Sequence, residues 1–306
     1  MRGIAMNRLT DLLLTGLAPA VWGSTYIVTS ELLPQGYPIT LAVLRALPAG
    51  LLLLLLVRRL PGREWWGRVL LLGAFNFAIF WTLLFVAAYR LPGGVAATLG
   101  ALQALCVLIL ARGLLGMPIM TLSVMAAMAG VGGVALLVLT PAAELDPIGV
   151  AAGLGGALSM AAGTVLSRKW QPPVSPLTFT AWQLTAGGLL LVPLAWFGEP
   201  ALPALTTTNL VGLCYLGLIG AALTYFLWFR GVARIEPAAV SMLGMMSPVT
   251  AVALGWMLLD QRLSPLQAGG AVIVLGSVWL GQWAARRVPR PEMVPGAPPR
   301  AASWPR

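Results

Sequence analysis

Two stretches of the chain read almost alike: PITLAVLRALPAGLLL at Pro38–Leu53 and PLTFTAWQLTAGGLLL at Pro176–Leu191. Proline, threonine, glycine and a closing leucine run align at a constant shift. A second pair, RLPGGVAATLG at Arg90–Gly100 and RIEPAAVSMLG at Arg234–Gly244, aligns in the same way. Self-similarity at this distance marks a duplicated unit. Each stretch lies in or beside an apolar run of about twenty residues, the length an α-helix needs to cross a bilayer. Working outward gives ten such spans, at about 10–32, 39–57, 69–88, 94–114, 120–139, 148–167, 178–197, 209–229, 238–259 and 265–284. Spans 2 and 4 then match spans 7 and 9. Each half holds five spans, an odd number, so the second half enters the membrane upside down relative to the first. The expected fold is an all-α polytopic membrane protein of ten transmembrane helices in two five-helix inverted repeats. The repeats cover residues 1–140 and 141–287, and a disordered cytoplasmic tail is expected at 288–306.

The composition suits this solvent. Apolar residues make up 59% of the chain and charged residues 9%, where soluble domains carry about 25% charged. The breaks between spans carry turn chemistry, among them Pro34-Gln35-Gly36, Pro92-Gly93-Gly94, Asp146-Pro147, Glu236-Pro237 and Ser264-Pro265. The loops are too short for a soluble catalytic domain. Cys106 and Cys214 fall inside apolar runs and read as small hydrophobes. Histidine is absent. No catalytic residue, metal or cofactor is expected, because no nucleophile–base pair or ligand cluster stands out. Residues 1–20 read as part of an uncleaved first helix, since the apolar run continues to about Leu33.

The net charge of +10 does not point to nucleic acid, because the basic residues form no patch with interleaved aromatics. They mark topology instead. With the N-terminus in the cytoplasm, sixteen of the nineteen Lys and Arg residues fall on the cytoplasmic side. Only Arg90 and Arg262 face outward, and Arg45 lies inside a span. Glu31, Glu144, Asp146, Glu199 and Asp260 lean to the outside. Both termini are therefore expected in the cytoplasm of a bacterial inner-membrane protein.

A resemblance can be placed on particular residues. EPAAV at Glu236–Val240, SPVTA at Ser247–Ala251, LLDQRL at Leu258–Leu263 and QAGG at Gln267–Gly270 carry it, with WGSTY at Trp22–Tyr26, Arg45, and the half-repeat at Arg90–Gly100. Across roughly residues 10–284 the chain resembles the drug/metabolite transporter superfamily, in its ten-helix exporter branch. Within that branch it is most similar to the bacterial amino-acid exporters with aromatic substrates. The resemblance implies export of small molecules by alternating access, a central cavity between the halves, and helices 5 and 10 at the periphery. It departs from the pattern at Gly116, where the second half has Asp260. It also departs at Ala104, the mate of Pro248, so the halves are expected to bend differently.

The candidate site follows from polar and aromatic residues inside apolar spans. Helix 1 places Thr15, Pro19, Trp22, Tyr26 and Thr29 on one face, which should turn inward. Helix 3 offers Asn76 and Phe80, with Phe77 and Trp81 beside them. Helix 4 offers Thr98 and Gln103, and helix 6 Gly156, Ser159, Gly163 and Ser167, with Met160 adjacent. Helix 9 offers Ser241 and Met245. Amides in hydrocarbon need partners, which a wet cavity or a substrate supplies; glycine and serine stripes also serve helix packing. Pro19 and Pro248 are expected hinges, with Pro48 and Pro193 as further bending points. Arg45 either lines an outer vestibule and attracts a carboxylate, or it snorkels outward or pairs with Glu31. Tryptophans 65, 66, 196, 279 and 283 read as interfacial anchors. The expected partners are amino acids or lipophilic drugs and the lipid bilayer, with the chain a monomer or weak homodimer. No acid sits mid-span, so facilitated export is favoured over proton antiport. A passive channel and a proton-coupled antiporter of lipophilic or cationic compounds remain the rivals.

Overall fold

A computed structural model describes residues 2–91, 93–138, 146–259 and 264–286, without the side chains of 2–7, 26, 88, 89, 93–95 and 138. Tyr26's side chain, Glu144, Asp260, Arg262, the boundary at 140 and the tail 288–306 lie outside the described residues. Ten helical rods follow one another: α1 (Arg2–Leu32), α2 (Pro38–Val57), α3 (Trp66–Gly73, Ala74–Ala78, Ile79–Arg90), α4 (Gly93–Ala101, Gln103–Leu115), α5 (Thr121–Val138), α6 (Pro147–Lys169), α7 (Pro176–Gly198), α8 (Thr207–Cys214, Tyr215–Leu223, Thr224–Arg234), α9 (Pro237–Leu243, Met246–Leu258) and α10 (Pro265–Ala285). Among the described residues nine helices are long and apolar enough to cross a membrane, and Thr121–Leu137 forms a shorter apolar one.

The loop chemistry sets the ends. Proline opens α2, α6, α7, α9 and α10, where its missing N–H costs nothing. Asp146 accepts from the N–H groups of Ile148 and Gly149 to cap α6. Thr206 with Asn209, and Ser264 with Gln267, form capping boxes on α8 and α10. Glu199, just past α7, reaches across to accept the Ile39 and Thr40 N–H groups at the start of α2, both at 2.7 Å. Gly116 ends α4 at φ 69°, a left-handed position that suits glycine.

The packing carries the repeat into three dimensions. α2 crosses α7 so closely that a Cβ on Gly50 would lie 2.6 Å from the Thr185 nitrogen, and one on Gly188 2.9 Å from the Leu47 Cα. Gly188 and Thr185 are the repeat mates of Gly50 and Leu47. α5 and α10 do the same: Gly133 meets Val274 at 2.9 Å and Gly270 meets Leu137 at 2.6 Å. Such reciprocity, residue i on j and its mate on i, is what a two-fold relation produces. Small residues permit it where lipid offers no hydrophobic drive for association.

The irregularities repeat too. α3 and α8 each contain a π segment, Ala74–Ala78 and Tyr215–Leu223, at corresponding places. α4 and α9 each break, at Leu102 and at Gly244–Met245. In α9 proline explains the break. Pro248 has no N–H for the Gly244 carbonyl, which instead accepts from Ser247 at 3.1 Å. In α4 the same tight geometry forms without proline, with Leu102 N–H on Leu99 O at 3.1 Å and Leu105 N–H on Leu102 O at 3.0 Å. The expectation that Ala104 makes the halves bend differently is therefore corrected. Pro19, Pro48 and Pro193 sit within helices that run on unbroken.

Candidate functional site

The two ends of the bundle differ in packing. Near the N-terminus of α1, every residue of α7 from Thr178 to Gly188 is buried, as are Ala239 to Leu243 of α9. Toward the other end, Met246 to Leu254 of α9 and Ala97 to Gln103 of α4 are all partly exposed, on every side of the helix. Ion pairs tie the sealed end. Asp11 meets Arg230 at 2.7 Å and Arg234 at 3.1 Å, and Arg8 meets Glu236 at 3.5 Å. Arg168 donates to the Val232 and Ala233 carbonyls at the end of α8.

Between the two ends lies an aromatic cluster. Tyr225 lies 4.9 Å from Trp22, 4.6 Å from Phe77 and 6.3 Å from Trp81. Trp22 also meets Trp228 at 5.2 Å, and Phe179 of α7 meets Phe229 at 6.2 Å. Phe77, Tyr225, Trp228 and Phe229 are at most 2% exposed. Four helices, α1, α3, α7 and α8, supply these rings. Edge-to-face contacts of this kind add about 0.5–1.5 kcal/mol each beyond burial.

Two polar constellations flank the cluster. Asn76 on α3 is fully buried and donates to Gln183 Oε1 on α7 at 2.8 Å and to Ser167 on α6 at 3.2 Å. Its Oδ1 and the Gln183 Nε2 have no partner among the described residues. A Cβ on Gly163 would strike the Asn76 amide, so that glycine makes room for it. On the other flank Arg45 points into the bundle. Its Nη2 donates to the Gly220 carbonyl at 2.6 Å, and its guanidinium lies 5.2 Å from the Trp81 ring. The same carbonyl accepts from Thr224 at 2.9 Å, and the Thr224 oxygen accepts from the Trp22 indole at 2.9 Å. Ser24 shares a hydrogen bond of 2.7 Å with Tyr215. π segments open the α-helical ladder and recur at functional positions; here they hold both Asn76 and Gly220.

The structure thus brings together Trp22, Asn76, Phe80, Met160 and Gly163 of the expected set, with Arg45. Phe80 packs against the core cluster that contains Phe77, Trp81 and Met160. Ser159 binds the Phe75 carbonyl at 2.8 Å, which anchors α6 to the α3 π segment. Thr98 and Gln103 line the partly exposed stretch of α4. Ser241 binds back to Ala238 O at 2.9 Å. Met245 turns toward Gly130 and Ser277, against α5 and α10 and away from the aromatic cluster. Pro19 is buried in α1. Glu31 is exposed and takes a hydrogen bond from Ser30 at 3.0 Å, and Arg45 does not pair with it. Ser167 lies on the expected helix 6 face, whereas Gln183, Thr224, Tyr225 and Trp228 are not singled out as site residues. The one signal for the last three is the polar and aromatic spacing of Thr224, Tyr225 and Trp228 along α8. Trp66, Trp196, Trp279 and Trp283 are exposed, as interfacial anchors should be. Trp65 is half-buried, with the Arg68 guanidinium 5.0 Å from its ring.

Relatives fit this architecture. The chain is 44% identical over 267 residues to Protein PecM of Dickeya dadantii, spanning 87% of this chain and 90% of that one. It is 30% identical over 273 residues to the uncharacterized inner membrane transporter YedA of Escherichia coli K12, spanning 86% and 88%. A solved crystal structure superposes with a TM-score of 0.78 at 19% identity, over 91% of this chain and 99% of its own, and shares the fold. The model of the EamA-like transporter family matches residues 10–139 and again residues 147–281, one match to each half of the bundle. The chain is a multi-pass membrane protein and belongs to the EamA-like transporter family of the drug/metabolite transporter superfamily.

Proposed function

We propose that the protein exports amino acids, aromatic and other neutral ones, and related small metabolites by alternating access, through facilitated transport. The observation that carries this reading is the aromatic cluster of Trp22, Phe77, Trp81, Tyr225 and Trp228 beside Arg45. Flat aromatic walls accept apolar side chains of varied shape, and a fixed cation favours a carboxylate over a cationic drug. The two-fold contacts of α2 with α7 and of α5 with α10 support two repeats, residues 1–140 and 141–287, that exchange conformations around one site.

By the positive-inside pattern, both termini lie in the cytoplasm of a bacterial inner membrane. The sealed end then faces the cytoplasm and the loosely packed end the outside, as in an outward-facing state. The acids Asp11 and Glu236 are tied to arginines at the sealed end, a poor arrangement for a mid-membrane proton carrier. Trp22, Asn76, Phe80, Thr98, Gln103, Ser159, Met160 and Gly163 form the path. Ser241 and Met245 support it from α9, and the breaks at Leu102 and before Pro248 serve as hinges. The chain works as a monomer or weak homodimer.

The test is counterflow in liposomes against a panel of amino acids, with quaternary amines and nucleosides as controls. Exchange of neutral and aromatic amino acids, unchanged when a proton gradient is imposed, is the expected result. A panel in which no amino acid exchanges rejects the substrate class, and strict dependence on the gradient rejects facilitated transport.

A further inference from the structure

A charge within a transmembrane helix is costly and marks a functional position, and one of the contacts of Arg45 there is with a neutral acceptor. Its Nη2 donates to the Gly220 carbonyl at 2.6 Å. A guanidinium can bind a carboxylate through two parallel N–H groups and with opposite charge, neither of which a single carbonyl oxygen offers. The surroundings match such an exchange. Trp81 covers the guanidinium at 5.2 Å, and Trp22 and Tyr225 stand 4.9 Å apart beside it. The Trp22 indole N–H reaches the same carbonyl through Thr224, by bonds of 2.9 Å each. The repeat mate of Arg45 is the neutral Gln183, which is sealed by Asn76 at 2.8 Å. The two-fold bundle therefore carries this cation on one side only.

Resting on the transporter reading above, we propose that Arg45, Trp22 and Thr224 form the carboxylate subsite of the transport path. The substrate carboxylate takes Arg45 away from the Gly220 carbonyl, with the Trp22 indole as second donor. The freed carbonyl accepts the ammonium of an α-amino acid, and Trp81 and Tyr225 hold its side chain. The substrate class is an aromatic or large apolar α-amino acid, recognised at its carboxylate.

Titration calorimetry on the purified full chain tests this with phenylacetate, L-phenylalanine and phenylalaninamide. The two carboxylates are expected to bind at least tenfold more tightly than the amide. Arg45→Gln, which installs the repeat mate's side chain, is expected to flatten that ratio to within about twofold. Trp22→Phe keeps the ring and removes the donor, and should lower the ratio at least threefold. An unchanged ratio in Arg45→Gln, or the absence of carboxylate binding to the native chain, overturns the subsite. Should Arg45→Gln fail to give folded protein, the Trp22→Phe ratio decides in the same way. Phenylacetate binding without amino-acid counterflow would sink the amino-acid reading alone. Amino-acid counterflow with an unaltered ratio in Arg45→Gln would sink the subsite alone.

Discussion

Arg45 and Gln183 occupy the same place in the two halves, and each reaches a π segment, at Gly220 and at Asn76, yet the two contacts they make differ in kind. Gln183 meets Asn76 as amide on amide, fully buried and braced by Ser167. Arg45 meets the Gly220 backbone carbonyl, which Thr224 shares, and remains partly exposed. Duplication kept the geometry, a side chain of the helix 2 type reaching a π segment of the helix 3 type, while the chemistry diverged. One contact is neutral and closed, fit to hold helices together. The other carries charge and stays partly exposed. A symmetric scaffold can thus present an asymmetric site.

The largest expected effect breaks the scaffold beneath both contacts. Gly50→Val and Gly188→Val each drive a side chain into backbone at the α2–α7 crossing. Overpacking of this kind costs about 1–3 kcal/mol, and more where backbone is the obstacle. Both variants should lose most of their folded, monodisperse yield, and by similar amounts because the contacts are reciprocal. A mild effect at one site alone would show that the two-fold packing is looser than it looks.

Next comes the neutral contact itself. Gln183→Leu strands the Asn76 amide in an apolar interior, at about 1–3 kcal/mol. Adding Asn76→Leu should recover at least half of the lost thermal stability, since removing both partners removes the unmet demand. Additive losses in the double variant would show that each amide serves a separate partner.

A smaller effect is expected at the hinge. α4 breaks with Ala104 where α9 breaks with Pro248. Pro248→Ala should therefore leave α9 broken and transport within about threefold of the native rate. Loss of transport with a straightened α9, read from cysteine accessibility along Met246–Leu254, would show that proline is required in one half only.

The smallest lies outside the membrane. The Asp146 carboxyl is held below the usual range, first by the Gly149 N–H, then by the Ile148 N–H and Arg90. A folded-state pKa below the unfolded value of about 3.9 gives stabilisation that is complete above that pH and fades as pH falls through the folded value. Asp146→Asn should remove this slight acid sensitivity of thermal unfolding, while the Glu199 contact with the start of α2 remains.

How much of this was legible beforehand differs between fold and site. The ten rods, their proline and capped starts, and the duplication stand in the linear order of residues, because a bilayer demands long apolar runs and turns demand proline, glycine and capping oxygens. Asn76 also stood out, as an amide in an apolar run. Its pairing did not. Gln183 and Ser167 lie on other helices, and which faces meet depends on crossing geometry that no local pattern encodes. The α8 aromatics Tyr225 and Trp228 were overlooked because an apolar ring suits lipid and core equally. Met245 misled in the opposite sense, since nothing local tells a methionine against α5 and α10 from one in a path. The break in α4 was invisible, as Ala104 is a good helix former; the tertiary arrangement it shares with α9 imposes it. Sequence by itself determined the membrane solvent, the helices and their duplication, since these follow from composition and spacing along one chain. Tertiary structure alone decided that Arg45 turns inward to a backbone carbonyl rather than outward to Glu31, because only the crossing of α2 with α8 brings the Gly220 oxygen within reach of the charge.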